Sequence, residues 1–158
     1  MLEIHKRYPL YKLKIFGEGP EKGSLLRLIH DNNAENYIEL MGNISDLENV
    51  LYQETRVFVM TSDYEGFPNA LAEAMAMGIP SVSTDCPTGP KELIGEKRGI
   101  LVPCNSPDLL FDAISKLIDY PVEALEMGKN AKEFVKDNLS ASITVEKLLE
   151  NITRITKE

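Results

Sequence analysis

"RVFVMTSDYEGFPNALAEAMAMG", Arg56 to Gly78, changes its hydrophobic period partway along. Val57, Phe58 and Val59 form an unbroken apolar run, the mark of a strand covered on both faces. Beyond Asn69 the small and apolar positions Leu71, Ala74, Met75 and Gly78 recur at the three- and four-residue spacing of a helix face. Strand, loop and helix in that order put Glu65 through Asn69 at the carboxyl end of a parallel strand, where open α/β sheets bind ligands. Asn69 is expected to cap the helix. The amides of Ala70 and Leu71 then lack intrahelical acceptors and stand at the positive end of the helix dipole, an arrangement suited to phosphate. Gly66 lets the loop backbone approach a ligand, Pro68 fixes φ and removes a donor, and Gly78 followed by Pro80 stops the helix.

The alternation extends in both directions. Tyr11 to Phe16, Tyr37 to Met41, Arg56 to Met60, Pro80 to Thr84 and Gly99 to Val102 read as strands. Between them, Leu25, Leu28 and Ile29 mark one face of a helix from Glu21 to Asp31, and Leu47, Val50 and Leu51 mark a shorter one. Such a chain predicts an α/β fold, a Rossmann-like parallel sheet with helices on both faces. After Val102 the pattern turns helical: Pro107 to Asp119, Val122 to Asp137 and Ser142 to Thr156 form a helical carboxyl-terminal tail. No linker or low-complexity stretch divides residues 1–158, which read as a single domain.

A net charge of −8 over 158 residues argues against nucleic acid as a partner, since such binding needs clustered Lys and Arg. No apolar run is long enough to span a bilayer, and Met1 to Arg7 lacks the apolar core of a secretion signal, so the expected location is cytoplasmic. Cys86 and Cys104 are read as ordinary thiols. No metal site is expected: His5 and His30 stand alone, and Asp63 and Asp85 are simpler as loop or cap residues. Lys97 and Arg98 read as solvating a loop.

A carboxylate beside a phosphate site is costly unless it has something else to bind. Glu73 lies one turn into the helix, roughly 6 Å along the axis from Asn69, where a ribose diol would satisfy it. Glu65, on the loop side, would face whatever the diphosphate carries, and a sugar with developing positive charge at its anomeric carbon fits an acid there. The bland alternative makes both glutamates solvated acids. Two other classes remain. Gly17, Gly19 and Gly23 imitate a dinucleotide fingerprint of an NAD-type domain, but the spacing is off and the second strand ends in Gly42-Asn43 without a ribose-binding acid. The simpler reading of those glycines is a tight turn. A non-enzymatic nucleotide-binding module would share the strand and helix counts.

"EGFPNALAEAMAMGIPSVSTD" closely resembles the Glu-x7-Glu segment of the family 4 glycosyltransferases, retaining enzymes of the GT-B fold. "YPLYKLKIFGEGPEKGSLLRLI", "IELMGNISD", "CPTGPKELI" and "RGILVPCNSPDLLFDAISKLI" are similar to further blocks of that family's carboxyl-terminal, donor-binding domain. The resemblance implies that Glu65 is catalytic, stabilising charge during transfer. It implies that Gly66, Phe67, Pro68, Asn69, Ala70 and Leu71 hold sugar hydroxyls and diphosphate, and that Glu73 binds ribose. Ile44 resembles the residue along the nucleobase, and Gly17 falls with the donor-binding positions. The implied donor is a nucleotide-diphosphate sugar, a UDP-sugar favoured, with no resident cofactor. "CPTGPKE" replaces the commoner glycine pair and is similar to members that transfer N-acetylhexosamines. Family members precede this region with a strand and loop carrying an Arg and a Lys, and with an acceptor domain. The expectation is that the first strand and that partner domain lie outside this chain. The isolated piece should then be inactive, and the full-length hexosyltransferase would act on a glycan, polysaccharide or lipid-linked acceptor, with peripheral membrane association.

Overall fold

The computed structural model describes residues 1–43 and 55–139. The expected helix around Leu47 to Leu51 and the tail helix Ser142 to Thr156 lie outside the described residues. The chain divides into two compact units, residues 1–50 and 51–158.

In the first unit, α1 (Leu2–Arg7) precedes β1 (Leu13–Phe16), α2 (Lys22–Asp31) and β2 (Ile38–Gly42). β1 and β2 pair in parallel from Leu13 opposite Ile38, and the register slips between Ile15 and Phe16, which faces Gly42. α1 was not foreseen. Its only buried residue is Ile4, and the His5 ring stacks on Tyr37 with centroids 3.6 Å apart. The helix is thus held by a partner more than thirty residues away, which no local pattern announces. α2 corrects the expected face: Ile29 is buried, but Leu28 is 60% exposed. Its end is well formed. Asn33 takes φ +52, its N–H donates to His30 O at 2.9 Å, and Ala34 N–H donates to Ile29 O at 2.9 Å. An Asn in the left-handed region closes the helix as a glycine would.

The second unit runs β3 (Phe58–Met60), α3 (Asn69–Ala76), β4 (Ser81–Thr84), α4 (Pro90–Ile94), β5 (Ile100–Val102), α5 (Pro107–Asp119) and α6 (Pro121–Asn138). The three strands are parallel in the order β3-β4-β5, with Met60 beside Ser83 and Ser83 beside Leu101. The period of two along each strand then sorts the side chains. Phe58, Met60 and Leu101 join one core with Leu71 and Met75 of α3 and Leu93 and Ile94 of α4. Val57, Val82, Ile100 and Val102 join the other with Ala113 and Leu117 of α5. Helices therefore cover both faces of a parallel sheet, as the apolar strand runs predicted.

α6 serves both cores. Ala124 and Met127 pack on the second, Ala131, Phe134 and Val135 on the first. The crossing point is Gly128, where a β-carbon would overlap the Gly78 carbonyl oxygen and lie 3.5 Å from Pro80. The helix passes the amino end of β4 at backbone contact, opposite the end that carries Glu65. Gly78 itself takes φ +78, with its N–H on Met75 O at 2.9 Å and Ile79 N–H on Ala74 O at 3.0 Å. These bonds satisfy the last carbonyls of α3.

Arg98 corrects its expectation. Its guanidinium lies 3.8 Å from the Phe134 ring centroid, Nε donates to Leu93 O at 2.6 Å, and a terminal nitrogen donates to Glu92 O at 2.9 Å. It caps α4 and ties that helix to α6 instead of solvating a loop. No helix among the described residues is long and apolar enough to cross a membrane.

Candidate functional site

The carboxyl ends of β3, β4 and β5 present three consecutive loops. The first, Thr61 to Pro68, carries Glu65, and hydrogen bonds to its neighbours hold it. Thr84, the last residue of β4, donates Oγ1 to Ser62 O at 2.6 Å. Cys104, past β5, approaches the same carbonyl with its thiol at 3.9 Å. Ser62 Oγ donates to Glu65 Oε1 at 2.6 Å, the short distance of a hydroxyl bonded to a carboxylate. Thr88, in the loop after β4, donates its hydroxyl to the Glu65 carbonyl oxygen.

The loop after β4 is itself bent to meet this one. Thr88 takes φ +66, sparsely populated for a β-branched residue, and Gly89 follows at φ +99. A β-carbon on Gly89 would overlap Pro68 Cδ, so the two loops touch where Pro68 begins α3. Pro68 is fully buried, whereas Gly66 is exposed and a β-carbon there would meet nothing within 4 Å. The open side of the loop is therefore at Gly66, between Glu65 and the helix.

Asn69 is not the cap. Pro68 is the cap residue and Asn69 the first helical one: Ala72 N–H reaches Pro68 O at 3.0 Å, and Asn69 N–H turns back to Phe67 O at 2.9 Å. No side-chain bond caps the helix. Proline's fixed φ and missing N–H make it a ready entry to the helix, and that local geometry outranked the side-chain preference of Asn. Ala70 and Leu71 follow in the first turn as expected, Ala70 exposed and Leu71 wholly buried on the apolar face of the helix. Glu73 is exposed on α3, and Phe67 is half-exposed.

Gly17 lies in the first unit. At φ +112 it donates its N–H to Gly42 O at 2.8 Å, which ties together the carboxyl ends of β1 and β2. Ile44 lies outside the described residues.

Cys86 is buried beside this loop. Burial first, then the Cys104 thiol and the Glu65 and Asp85 carboxylates, push its own thiol up, which keeps it protonated and unreactive. A cleft of about 290 Å³ opens along Thr61, Asp63, Thr84, Asn105 and Ser106, sharing the loop with Glu65 but not lined by it. Among the described residues no group of three metal-ligating side chains converges.

Sequence reasoning singled out the two glutamates, placed the helix start one residue late, and missed Ser62, Thr84 and Thr88. Ser62, three residues before Glu65, was within reach of a local reading; Thr84 and Thr88 come from the next strand and its loop.

Residues 1–120 match the family model described as "Glycosyl transferases group 1". The chain is 34% identical over 127 residues to an exopolysaccharide phosphotransferase of Streptomyces coelicolor, covering 80% of this chain and 14% of that protein. It is 32% identical over 147 residues to the poly(ribitol-phosphate) alpha-N-acetylglucosaminyltransferase of Staphylococcus aureus, covering 92% of this chain and 30% of the relative. A crystal structure of S. aureus TarM bound to fondaparinux, alpha-GlcNAc-glycerol and UDP superposes with a TM-score of 0.86 at 30% identity, over 93% of this chain and 30% of that one. The chain thus spans about a third or less of these proteins.

Proposed function

The chain belongs to the group 1 glycosyl transferases, and on that premise we propose that it is the donor-binding half of a retaining, family 4 enzyme. The whole protein would move a hexose or N-acetylhexosamine from a UDP-sugar to a glycan, polysaccharide or lipid-linked acceptor at the cytoplasmic side of a membrane. Glu65 supports the positive charge that develops at the anomeric carbon as the diphosphate leaves. The exposed start of α3 at Ala70 receives the diphosphate, and Glu73 accepts from the ribose hydroxyls. No resident cofactor takes part.

The observation that carries this reading is the carboxylate pair around one helix start: Glu65 fixed by Ser62 on the loop side, Glu73 exposed on α3, and Gly66 open between them. Supporting it are the UDP held by the staphylococcal TarM structure and the N-acetylglucosaminyl transfer in the relative's name. The alpha linkage in that name agrees with retention, because common UDP-sugars are themselves alpha. The remaining length of such proteins would supply the acceptor site, so the 158-residue chain alone is expected to lack transfer activity.

Calorimetric titration of UDP into the full-length protein and its Glu73→Gln variant tests the assignment. The variant should bind at least about tenfold more weakly, the scale of a hydrogen bond to a charged group. Equal affinities would assign Glu73 to bulk solvent and remove the ribose contact.

A further inference from the structure

We infer that Ser62 is a positioning residue for the Glu65 carboxylate, an inference that rests on the catalytic role proposed for Glu65. The two halves of Ser62 do separate work. Its carbonyl is the anchor of the loop, receiving Thr84 Oγ1 at 2.6 Å from β4 and the Cys104 thiol at 3.9 Å from beyond β5. Its hydroxyl makes the 2.6 Å bond to Glu65 Oε1. The path of the main chain is thus set through a carbonyl that every residue possesses, while the direction of the carboxylate depends on a hydroxyl that only Ser or Thr supplies at this reach.

The consequence for the site is chemical. A glutamate on a loop has three free torsions, and a carboxylate that wanders cannot meet a charge that develops at one carbon atom. Holding Oε1 to the protein commits the other oxygen to any ligand. The Thr88 hydroxyl fixes the Glu65 main chain from the loop after β4, and the half-buried setting of Ser62 and Glu65 makes the bond between them less open to competition from water.

Ser62→Ala, Ser62→Thr and Glu65→Gln in the full-length protein separate these roles, with UDP-GlcNAc as the probe. In its hydrolysis the bond from C1 to the diphosphate oxygen breaks, a water oxygen bonds to C1, UDP departs with the bonding electrons, and the water proton passes to solvent. Ser62→Ala should lower kcat roughly 10- to 100-fold, the scale of one charge-assisted hydrogen bond. KM should stay within about twofold, since the donor contacts at α3 are untouched. Ser62→Thr, which keeps the hydroxyl, should recover most of the loss. A wild-type kcat in Ser62→Ala overturns the inference, as does a loss that Thr fails to restore. Glu65→Gln decides the underlying reading separately: full turnover there removes Glu65 from catalysis and the inference with it. Carboxyl carbon NMR needs no donor. The Glu65 resonance, assigned by its disappearance in Glu65→Gln, should move in Ser62→Ala and return in Ser62→Thr, and an unmoved resonance overturns the hydrogen bond itself.

Discussion

α2 and α3 each follow a parallel strand, and each closes with the same pair of backbone bonds around a residue of positive φ, Asn33 in one and Gly78 in the other. Their faces differ. Ile29 is the buried residue of α2, with Leu26 and Leu28 about half-exposed or more, while α3 buries Leu71, Ala74 and Met75 completely. The stop signal is a local matter of which residues tolerate the left-handed region. Burial is decided by what the rest of the chain lays against the helix: β3, α4 and α6 supply side chains to the core that receives Leu71 and Met75.

The contrast is sharpest for large side chains. Met75→Ala should cost about 2 to 5 kcal/mol, the range for emptying a core position, whereas Leu28→Ala should stay within about 0.5 kcal/mol. Urea melts would show it, and equal losses would mean that α2 is as closely packed as α3. Glycines give the next test, because they should differ in sign. Gly128→Ala drives a methyl into the Gly78 carbonyl and should destabilise by about 1 to 3 kcal/mol. Gly23→Ala in α2, where a β-carbon meets nothing within 4 Å, should be neutral or stabilise by up to about 0.5 to 1 kcal/mol. A neutral Gly128→Ala in a thermal melt would separate α6 from the cap of α3. The smallest effect concerns the caps themselves. Gly78→Ala should cost about 1 to 2 kcal/mol for a left-handed L-residue, while Asn33→Gly should fall within about 0.5 kcal/mol. Amide exchange of the final turns would read each, and an equal response would make the two caps energetically the same.

What could be read ahead followed from local pattern. The five strands were visible as apolar runs, and α3 as a periodic stretch with a glycine stop, each within a few neighbouring residues. α1 was not, because Leu2 and Ile4 alternate like a strand and the helix depends on Ile4 burial and on Tyr37. α4, five residues long, is too short for a period to be counted. Arg98 looked like solvated charge because Phe134, which its guanidinium covers, lies 36 positions on. In the site, the motif singled out Glu65 and Glu73, but the helix begins one residue sooner than its reading gave, and the threonines that hold the loop come from elements that only folding brings near.

Synthesis on the ribosome gives α6 a further meaning. A chain emerging from its amino end presents β3 through α5 before α6 exists, with one face lacking Ala124 and Met127 and the other lacking Ala131, Phe134 and Val135. Both faces are sealed by the same 18 residues, made in ~1 to 4 s at the usual rate of elongation. Until then both cores of the nascent sheet are incomplete at once, and it is over that interval that a chaperone would find most to hold.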